Sequence, residues 1–264
     1  MSLVFLKLGG SLITDKAAVS AARHDVIGRL AGEIASALQT DLNLRLVLGH
    51  GSGSFGHNPG KAHNTRQGVR TAEEWRGFAE VWRQARALNN IVMDALTATG
   101  LPVLALPVSA AGLAEDGHIR EWDIRPLQAS LNAGLLPVVY GDVAFDATRG
   151  GTILSTEDIF DFLAGRLKPT RILQAGLDPV WADFPARTRV VESITSSTFP
   201  DILNVLGGSA ATDVTGGMSA KVRQTLAQVA AIPGCEALIF SGTQPGAVRA
   251  ALLGENPGTH LSAA

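Results

Sequence analysis

Three lysines in this 264-residue chain lie in or beside turns that are rich in glycine. The chain has five Lys against 17 Arg, and Lys7, Lys16 and Lys221 are among those five. A lysine ammonium is a compact charge that fits among phosphate oxygens more easily than a planar guanidinium does. Lys7 also interrupts an apolar run, where a lysine is rare unless it is paired. These positions predict a phosphate site, although Lys16 and Lys221 would also suit an ordinary surface.

Glycine recurs where the predicted strands end. Gly9-Gly10 follows the first apolar run, Gly51 and Gly53 follow the second, and Gly141 follows a later one. Glycine at such a turn lets the backbone approach a ligand and lets N–H groups point at it. The helix that follows adds the positive end of its dipole. The alternative is that tight strand-to-helix turns require glycine without any ligand, but three such turns together favour the phosphate site.

His57 ends the second glycine-rich loop, at the mouth of the predicted phosphate site. A lone His is more often structural than catalytic, but this position makes His57 a candidate hydrogen-bond donor to an anion. His63 and His118 have no such context, and the histidines show no spacing typical of metal ligands. The sequence therefore predicts no metal held by protein side chains.

Motif comparisons exclude several other kinds of site. Segment 51–56 reads Gly-Ser-Gly-Ser-Phe-Gly and matches the dinucleotide pattern G-x-G-x-x-G. That motif needs an acidic residue at the end of a second strand about 20 residues on. Glu73 and Glu74 lie near that distance, but they belong to the first turn of a predicted helix, so NAD binding is rejected. The chain has no P-loop pattern and no G-x-S-x-G elbow, which excludes a Walker-type kinase and leaves hydrolase chemistry unsupported.

Strands and helices are predicted to alternate along the whole chain, which would place these residues at one edge of a sheet. Apolar runs predict strands at 3–6, 44–48, 102–108, 135–140, 171–174 and 237–240. Helices are predicted between them, with capping boxes at Thr71 with Glu74 and Ser155 with Asp158, and with Pro126 at a helix start. This order predicts an α/β fold with a parallel or mainly parallel open sheet and helices on both faces. We expect one domain, residues 1–264, whose two lobes meet near 150–170.

Composition excludes other classes of protein. The formal net charge of −2 argues against broad nucleic-acid binding through phosphate neutralisation. Cys235 is the only cysteine, so an intramolecular disulfide is impossible and a reducing compartment is expected. No uncharged apolar run approaches the roughly 18 residues of a membrane helix. Lys7 and Gly9-Gly10 interrupt the apolar N-terminus, unlike a signal peptide. We expect a cytoplasmic protein with no nucleic-acid or membrane partner.

Four segments, in this order, resemble the amino-acid-kinase superfamily. They are 7–11 (Lys-Leu-Gly-Gly-Ser), the glycine-rich loop 50–57, Gly141-Asp142, and 213–221 (Asp-Val-Thr-Gly-Gly-Met-Ser-Ala-Lys). Within the superfamily the chain is most similar to the isopentenyl phosphate kinases, through segments 6–16, 53–57, 88–94 and 141–143. Segment 54–57, Ser-Phe-Gly-His, is similar to the fosfomycin kinases as well. The resemblance implies a three-layer αβα sandwich, usually a homodimer, that uses ATP and Mg²⁺.

The resemblance also implies roles for individual residues. The residues that would bind ATP are Lys7, Gly9, Gly10, Ser11, Gly53, Asp178, Asp213, Gly217 and Lys221. The residues that would bind the acceptor are Ser52, Gly56, His57, Gly141, Asp142 and Thr156. Lys16 would stabilise the phosphoryl group during transfer, and Lys7, His57 and Lys221 would complete the catalytic set. The acceptor lobe would cover about 1–155 and the nucleotide lobe about 156–264.

The implied reaction is phosphorylation of isopentenyl phosphate by ATP to give isopentenyl diphosphate. A phosphate monoester has a second pKa of about 6, so it is largely a dianion at neutral pH and needs no general base. Cationic groups must instead offset the repulsion between two anions. Trp75, Phe78 and Trp82 lie at helical spacing and would help to form a pocket for a short apolar tail. The alternative is that these aromatic residues belong to the core.

Two other functions stay open from the sequence. A phosphonate such as fosfomycin, or another small phosphate monoester, would use the same cationic residues. A catalytically silent nucleotide-binding regulatory protein is the alternative of another class, because the chain departs from the family pattern at three places. Ser52 stands in a turn that commonly has three glycines, Thr156 replaces a glycine, and Pro179 changes segment 176–179. Retention of the four cationic candidates argues against a silent protein.

Overall fold

A mainly parallel sheet forms the centre of the molecule. The computed structural model describes residues 2–15, 18, 20–206 and 217–263, with the backbone alone over 204–206. The strands in these ranges are β1 (Ser2–Leu8), β2 (Leu44–His50), β3 (Val103–Ala105), β4 (Leu113–Glu115), β5 (His118–Glu121), β6 (Leu136–Tyr140), β7 (Asp142–Asp146), β8 (Gly150–Leu154), β9 (Arg171–Gly176), β10 (Ser193–Thr195), β11 (Glu236–Ser241) and β12 (Gly258–Ser262). Eight of these described strands form one sheet in the order β10-β12-β11-β9-β1-β2-β6-β3. Its neighbours pair in parallel, apart from the antiparallel β11 and β12, which confirms the predicted sheet.

Helices connect the strands of this sheet. Those in the described ranges are α1 (Gly10–Ile13), α2 (His24–Thr40), α3 (Gly53–Ala62), α4 (Ala72–Ala98), α5 (Arg125–Asn132), α6 (Thr156–Leu167), α7 (Phe199–Leu206), α8 (Gly217–Ala231) and α9 (Ala247–Leu252). Both predicted capping boxes are present, at Thr71 with Glu74 before α4 and at Ser155 with Asp158 before α6. Within the part of the chain that the structure describes, no helix has the length and apolar character needed to cross a membrane.

A smaller, four-stranded sheet, in the order β5-β4-β7-β8, was not predicted. The predicted strand over 102–108 is too long, because β3 ends at Ala105 and a 3-10 turn follows at Val108–Ala110. Strands β4 and β5 are short and mostly exposed, so neither carries the apolar run by which a buried strand is recognised. The Asp116-Gly117 pair between them has positive φ at both positions (50° and 81°), which is typical of a two-residue hairpin turn. The Asp-Gly dipeptide is the feature of the sequence from which this hairpin could have been predicted.

Alternate residues of the central strands are buried against helices on opposite faces of the large sheet. Val4, Leu6 and Leu8 pack in one core with α2, α4 and α9, whereas Phe5 packs in another with α5, α6 and α8. Because successive side chains of a strand point to opposite faces, β1 is covered on both sides and the fold has three layers, αβα. Lys7 shares the face of Phe5, so it is directed toward α6 and α8.

Candidate active site

Two glycine turns contact each other at the carboxyl ends of β1 and β2. The strands pair in parallel up to Leu8 and His50, so the turns that follow them lie side by side. A Cβ atom on Gly10 would lie 2.5 Å from the backbone nitrogen of Gly53, and one on Gly51 would lie 2.8 Å from that of Gly10. No side chain fits in these gaps. Tight packing of the turns therefore requires glycine at both positions, whereas contact of the same glycines with a ligand stays a prediction.

The second turn is shorter than the sequence indicated. Segment 50–57 was predicted as a loop that ends at His57, but α3 already begins at Gly53, so His57 lies on that helix. At the start of this helix Gly53 adopts a left-handed conformation, with φ of 49°, and Phe55 is buried in the core. His57 is exposed on α3. The Ser52 hydroxyl occupies the space that a Cβ on Gly56 would take, so the predicted acceptor ligands Ser52, Gly56 and His57 lie at the N-terminal end of α3.

Lys7 is buried and forms an ion pair with Glu157 in the first turn of α6. In β2 the residue paired with Lys7 is Gly49, and a Cβ there would collide with Phe160 and Thr156 of α6. Gly49 therefore lets α6 approach the sheet beside Lys7. Removal from water and, to a smaller extent, the charge of Lys221 lower the pKa of Lys7 to about 7, while the charge of Asp158 opposes the shift. Lys7 thus lies in a mixed cluster of charges.

Lys221 on α8 lies close to the carboxyl end of β9. Its Nζ is 3.8 Å from the position of a Cβ on Gly176, the last residue of that strand. The Thr225 hydroxyl donates to the Lys221 carbonyl over 2.8 Å, and the side-chain amide of Gln174 donates to the same hydroxyl over 2.7 Å. Gln174 pairs with Lys7 across β1 and β9. The structure therefore brings Lys7 and Lys221, which are predicted to act together, to one end of the sheet.

The predicted acceptor residues Gly141, Asp142 and Thr156 lie around the end of β2. The Gly141 N–H donates to the His50 carbonyl over 3.2 Å, and the Thr156 hydroxyl donates to the same oxygen over 2.6 Å. Thr156 is buried, so its side chain packs inside the protein. Asp142 is buried too: burial raises the pKa of its carboxyl group to about 6, against the hydrogen bonds from Ser109 and the Val143 N–H. An acceptor-binding role for these residues stays a prediction.

The predicted nucleotide residues are less concentrated. Gly9 and Ser11 belong to the β1 turn and α1, and Gly217 begins α8 with a positive φ of 64°. The Asp178 carboxylate accepts from the Trp181 indole over 3.0 Å and lies 3.6 Å from the Arg187 guanidinium. Lys16 and Asp213 lie outside the described residues, so their roles stay predictions from the sequence. Over those described residues, no group of three or more His, Cys, Asp or Glu side chains could hold a metal ion.

Sequence reasoning missed several residues of this site. Glu157 could have been predicted from the sequence as the partner of Lys7. A lysine inside a strand needs a partner, and the capping box before α6 places carboxylates at the start of that helix. His50 is fully buried, with Nε2 3.1 Å from the Asn89 Oδ1 atom and its ring stacked on Tyr140. Burial lowers the pKa of His50. Gln174 carried no signal, because only strand pairing places it beside Lys7.

The aromatic residues of α4 divide into two environments. The rings of Trp75 and Phe78 are 5.2 Å apart, and both contact Phe145 of β7, at 5.7 and 5.5 Å. We call these three residues the aromatic cluster. Trp82 lies apart from it, 37% exposed, with the Arg86 guanidinium 5.4 Å from its ring. The aromatic cluster therefore contains Phe145, which was missed, and does not contain Trp82.

The chain matches known proteins over nearly its full length. The model of the amino acid kinase family matches residues 2–241. The isopentenyl phosphate kinase of Methanocaldococcus jannaschii is 33% identical over 98% of both chains, and that of Methanothermobacter thermautotrophicus is 36% identical over 96% of both. An isopentenyl phosphate kinase solved by X-ray crystallography superposes with a TM-score of 0.81 at 30% identity, covering 98% of this chain and 100% of that one. The chain thus belongs to the amino acid kinase family, and its similarity to isopentenyl phosphate kinases extends from end to end.

Proposed function

We propose that this protein transfers the γ-phosphoryl group of ATP to isopentenyl phosphate, giving isopentenyl diphosphate and ADP. The observation that carries the proposal is the contact between the β1 turn at Gly10 and the β2 turn at Gly53. Two anion-binding turns in contact would hold two phosphate groups next to each other. The similarity to relatives named isopentenyl phosphate kinase supports the choice of acceptor.

The chemistry needs positioning and charge neutralisation. An oxygen of the acceptor phosphate forms a bond to the γ-phosphorus while the bond from that phosphorus to the β–γ bridging oxygen breaks. The bridging oxygen leaves on ADP with the electron pair, and no proton has to be removed from a dianionic acceptor. In the proposal Lys7 and Lys221 offset charge on the ATP side, His57 and Ser52 bind the acceptor phosphate, and Lys16 binds the group in transfer.

Magnesium, a homodimer, two lobes and a cytoplasmic location are further parts of the proposal, taken from the resemblance and the composition. In the proposal Mg²⁺ enters the site with ATP, and among the residues in the described ranges no group of three or more His, Cys, Asp or Glu side chains could hold a metal ion. Its role is to neutralise phosphate charge when bound. Turnover measured against Mg²⁺ concentration tests the ion, and analytical ultracentrifugation tests the homodimer.

A short apolar acceptor tail is consistent with the aromatic cluster. Its residues come from α4 and from β7, the strand that begins at Asp142. Phe78 is buried and Trp75 half-buried, whereas Phe145 is 52% exposed. These rings would limit how far a tail can extend, and a five-carbon chain is the proposed length.

Coupled ATP turnover against isopentenyl phosphate, dimethylallyl phosphate, fosfomycin and a short alkyl phosphate tests the proposal. Preference for the first two supports it, and turnover with fosfomycin alone would move the function to a phosphonate kinase. ATP binding without turnover on any acceptor would favour the silent nucleotide-binding protein. Lys221→Ala should lower turnover on the order of a hundredfold, as expected for a group that stabilises charge in the transition state. Lys168→Ala, at the exposed end of α6, is the matched control.

A further inference from the structure

Thr14 connects the two glycine turns through its side chain. It follows α1, it is fully buried, and its hydroxyl donates to the Gly10 carbonyl over 2.7 Å. The same oxygen accepts the backbone N–H of Ser54 over 3.0 Å. One hydroxyl group therefore bonds the turn after β1 to the first turn of α3.

This contact exists because the neighbouring residues make room for it. A Cβ on Gly53 would collide with the Thr14 side chain, so only glycine at that position lets the hydroxyl reach Ser54. The first N–H groups of a helix have no partner within the helix. Ser52, which precedes α3, makes no capping bond with its side chain. Thr14 thus supplies the cap for α3 from another segment.

We propose that Thr14 is a positioning residue that sets the distance between the two bound phosphate groups. The inference rests on the proposed function, since one turn would hold the donor phosphates and the other the acceptor phosphate. Thr14 itself contacts neither substrate. Transfer requires the reacting atoms to be about 3–3.5 Å apart, and a displacement of about 1 Å can cost on the order of a hundredfold in rate. Loss of the hydroxyl should therefore affect the transfer step more than the binding of either substrate.

Thr14→Val keeps the shape of the side chain and removes the hydroxyl, whereas Thr14→Ser keeps the hydroxyl. We expect Thr14→Val to lower kcat roughly 10- to 100-fold, with KM for ATP and for isopentenyl phosphate changed by less than about threefold. Thr14→Ser should keep kcat within about threefold of the wild type. Thr152→Val is the matched control: Thr152 is also fully buried, and its hydroxyl donates to the Arg66 carbonyl over 3.2 Å.

Equal kcat values for Thr14→Val and the wild type would overturn the proposal. So would a loss confined to KM, an equal loss in Thr14→Ser, or an equal loss in Thr152→Val. If circular dichroism shows that Thr14→Val does not fold, Thr14→Ser is compared with Thr14→Ala, and equal kcat values for that pair would also overturn it. Amide hydrogen exchange at Ser54 gives a readout without turnover, since exchange should be at least about tenfold faster without the hydroxyl.

The wild type is assayed first, which separates the two hypotheses. A wild type without turnover on any phosphate acceptor would refute the proposed function and the positioning role together. A wild type that phosphorylates isopentenyl phosphate, with Thr14→Val equally active, would refute the positioning role alone.

Discussion

Lys7 of β1 and Glu157 of α6 form a partly buried ion pair although 150 residues separate them in the sequence. The side chains are 10% and 24% exposed. A buried charge is costly unless a partner compensates it, and Glu157 is the partner that compensates Lys7. The pair therefore couples the strand that carries Lys7 to the helix that packs over it.

The first prediction concerns the pH dependence of ATP use. Burial, with the charge of Lys221, lowers the pKa of Lys7 to about 7. Only the protonated lysine offsets phosphate charge, so kcat/KM for ATP should fall as pH rises through about 7. Bound phosphate would stabilise the ammonium, so kcat should fall at a higher pH than kcat/KM does. Rates measured from pH 5.5 to 9.5, at saturating and at low ATP, check this order.

In the variant Glu157→Gln, the fall of kcat/KM for ATP with rising pH should shift to lower pH. Removal of a nearby opposite charge disfavours the ammonium. Glu115→Gln, at an exposed position of β4, is the control and should leave the pH of this fall unchanged. An unchanged pH dependence in Glu157→Gln would show that the pair does not control the protonation of Lys7.

The second prediction concerns His57. We expect His57→Ala to raise KM for isopentenyl phosphate at least about tenfold, because a hydrogen bond to a charged group contributes roughly 1.5–3 kcal/mol. The dissociation constant of ATP should stay within about twofold, since His57 is assigned to the acceptor side. His57 is exposed on α3, and His118→Ala, exposed on β5, is the control. Unchanged acceptor kinetics would remove His57 from the site.

The third prediction concerns acceptor length. Trp75→Ala should raise kcat/KM for a ten-carbon alkyl phosphate relative to isopentenyl phosphate, because it removes one ring of the aromatic cluster. Trp75 is half-buried and therefore a safer target than Phe78, whose truncation in the core would cost about 3–5 kcal/mol of stability. Trp82→Ala is a matched control, since Trp82 lies outside the cluster. A similar change in both variants would mean that the cluster does not limit tail length.

The fourth prediction concerns the stability of the fold as a function of pH. The pKa of Asp142 is raised from 3.8 to about 6. Its stabilising contribution is therefore fully present below pH about 4 and is lost as pH rises through about 6, because ionisation favours the unfolded chain. The loss amounts to about 3 kcal/mol, taking 1.36 kcal/mol for each unit.

Asp142→Asn should remove that loss while it keeps an acceptor for the Val143 N–H. The free energy of unfolding, from urea titrations between pH 4 and 8, should depend less on pH in this variant than in the wild type. Asp94→Asn, exposed on α4, should follow the wild type. Parallel pH curves for Asp142→Asn and the wild type would show that this carboxyl group is not desolvated, and a raised KM for isopentenyl phosphate would support its predicted acceptor role.

Local signals in the sequence were sufficient for most elements and for several site residues. The capping boxes at Thr71 and Ser155 are formed by residues three positions apart, so the chain specifies them without tertiary contacts. The central strands of the large sheet, β1, β2, β6, β9 and β11, are mostly buried and appear as apolar runs. Lys7 was recognised because it breaks such a run. The short strands β4 and β5 lack such a run, as do β10 and β12 at one side of the large sheet, and all four were missed.

Tertiary structure decided how these residues meet. The parallel register of Leu8 with His50 brings Gly10 against Gly53, and no pattern within either turn contains that contact. Two other contacts depend in the same way on the packing of segments that are distant in the chain. They are the ion pair of Lys7 with Glu157 and the hydrogen bond from the Ser54 N–H to the Thr14 hydroxyl. Residue types and their spacing were thus sufficient to predict phosphate chemistry. The distances between the side chains and turns of the site follow only from strand pairing and helix packing. Many positions in the sequence have the same types of side chain, and the fold brings few of them together.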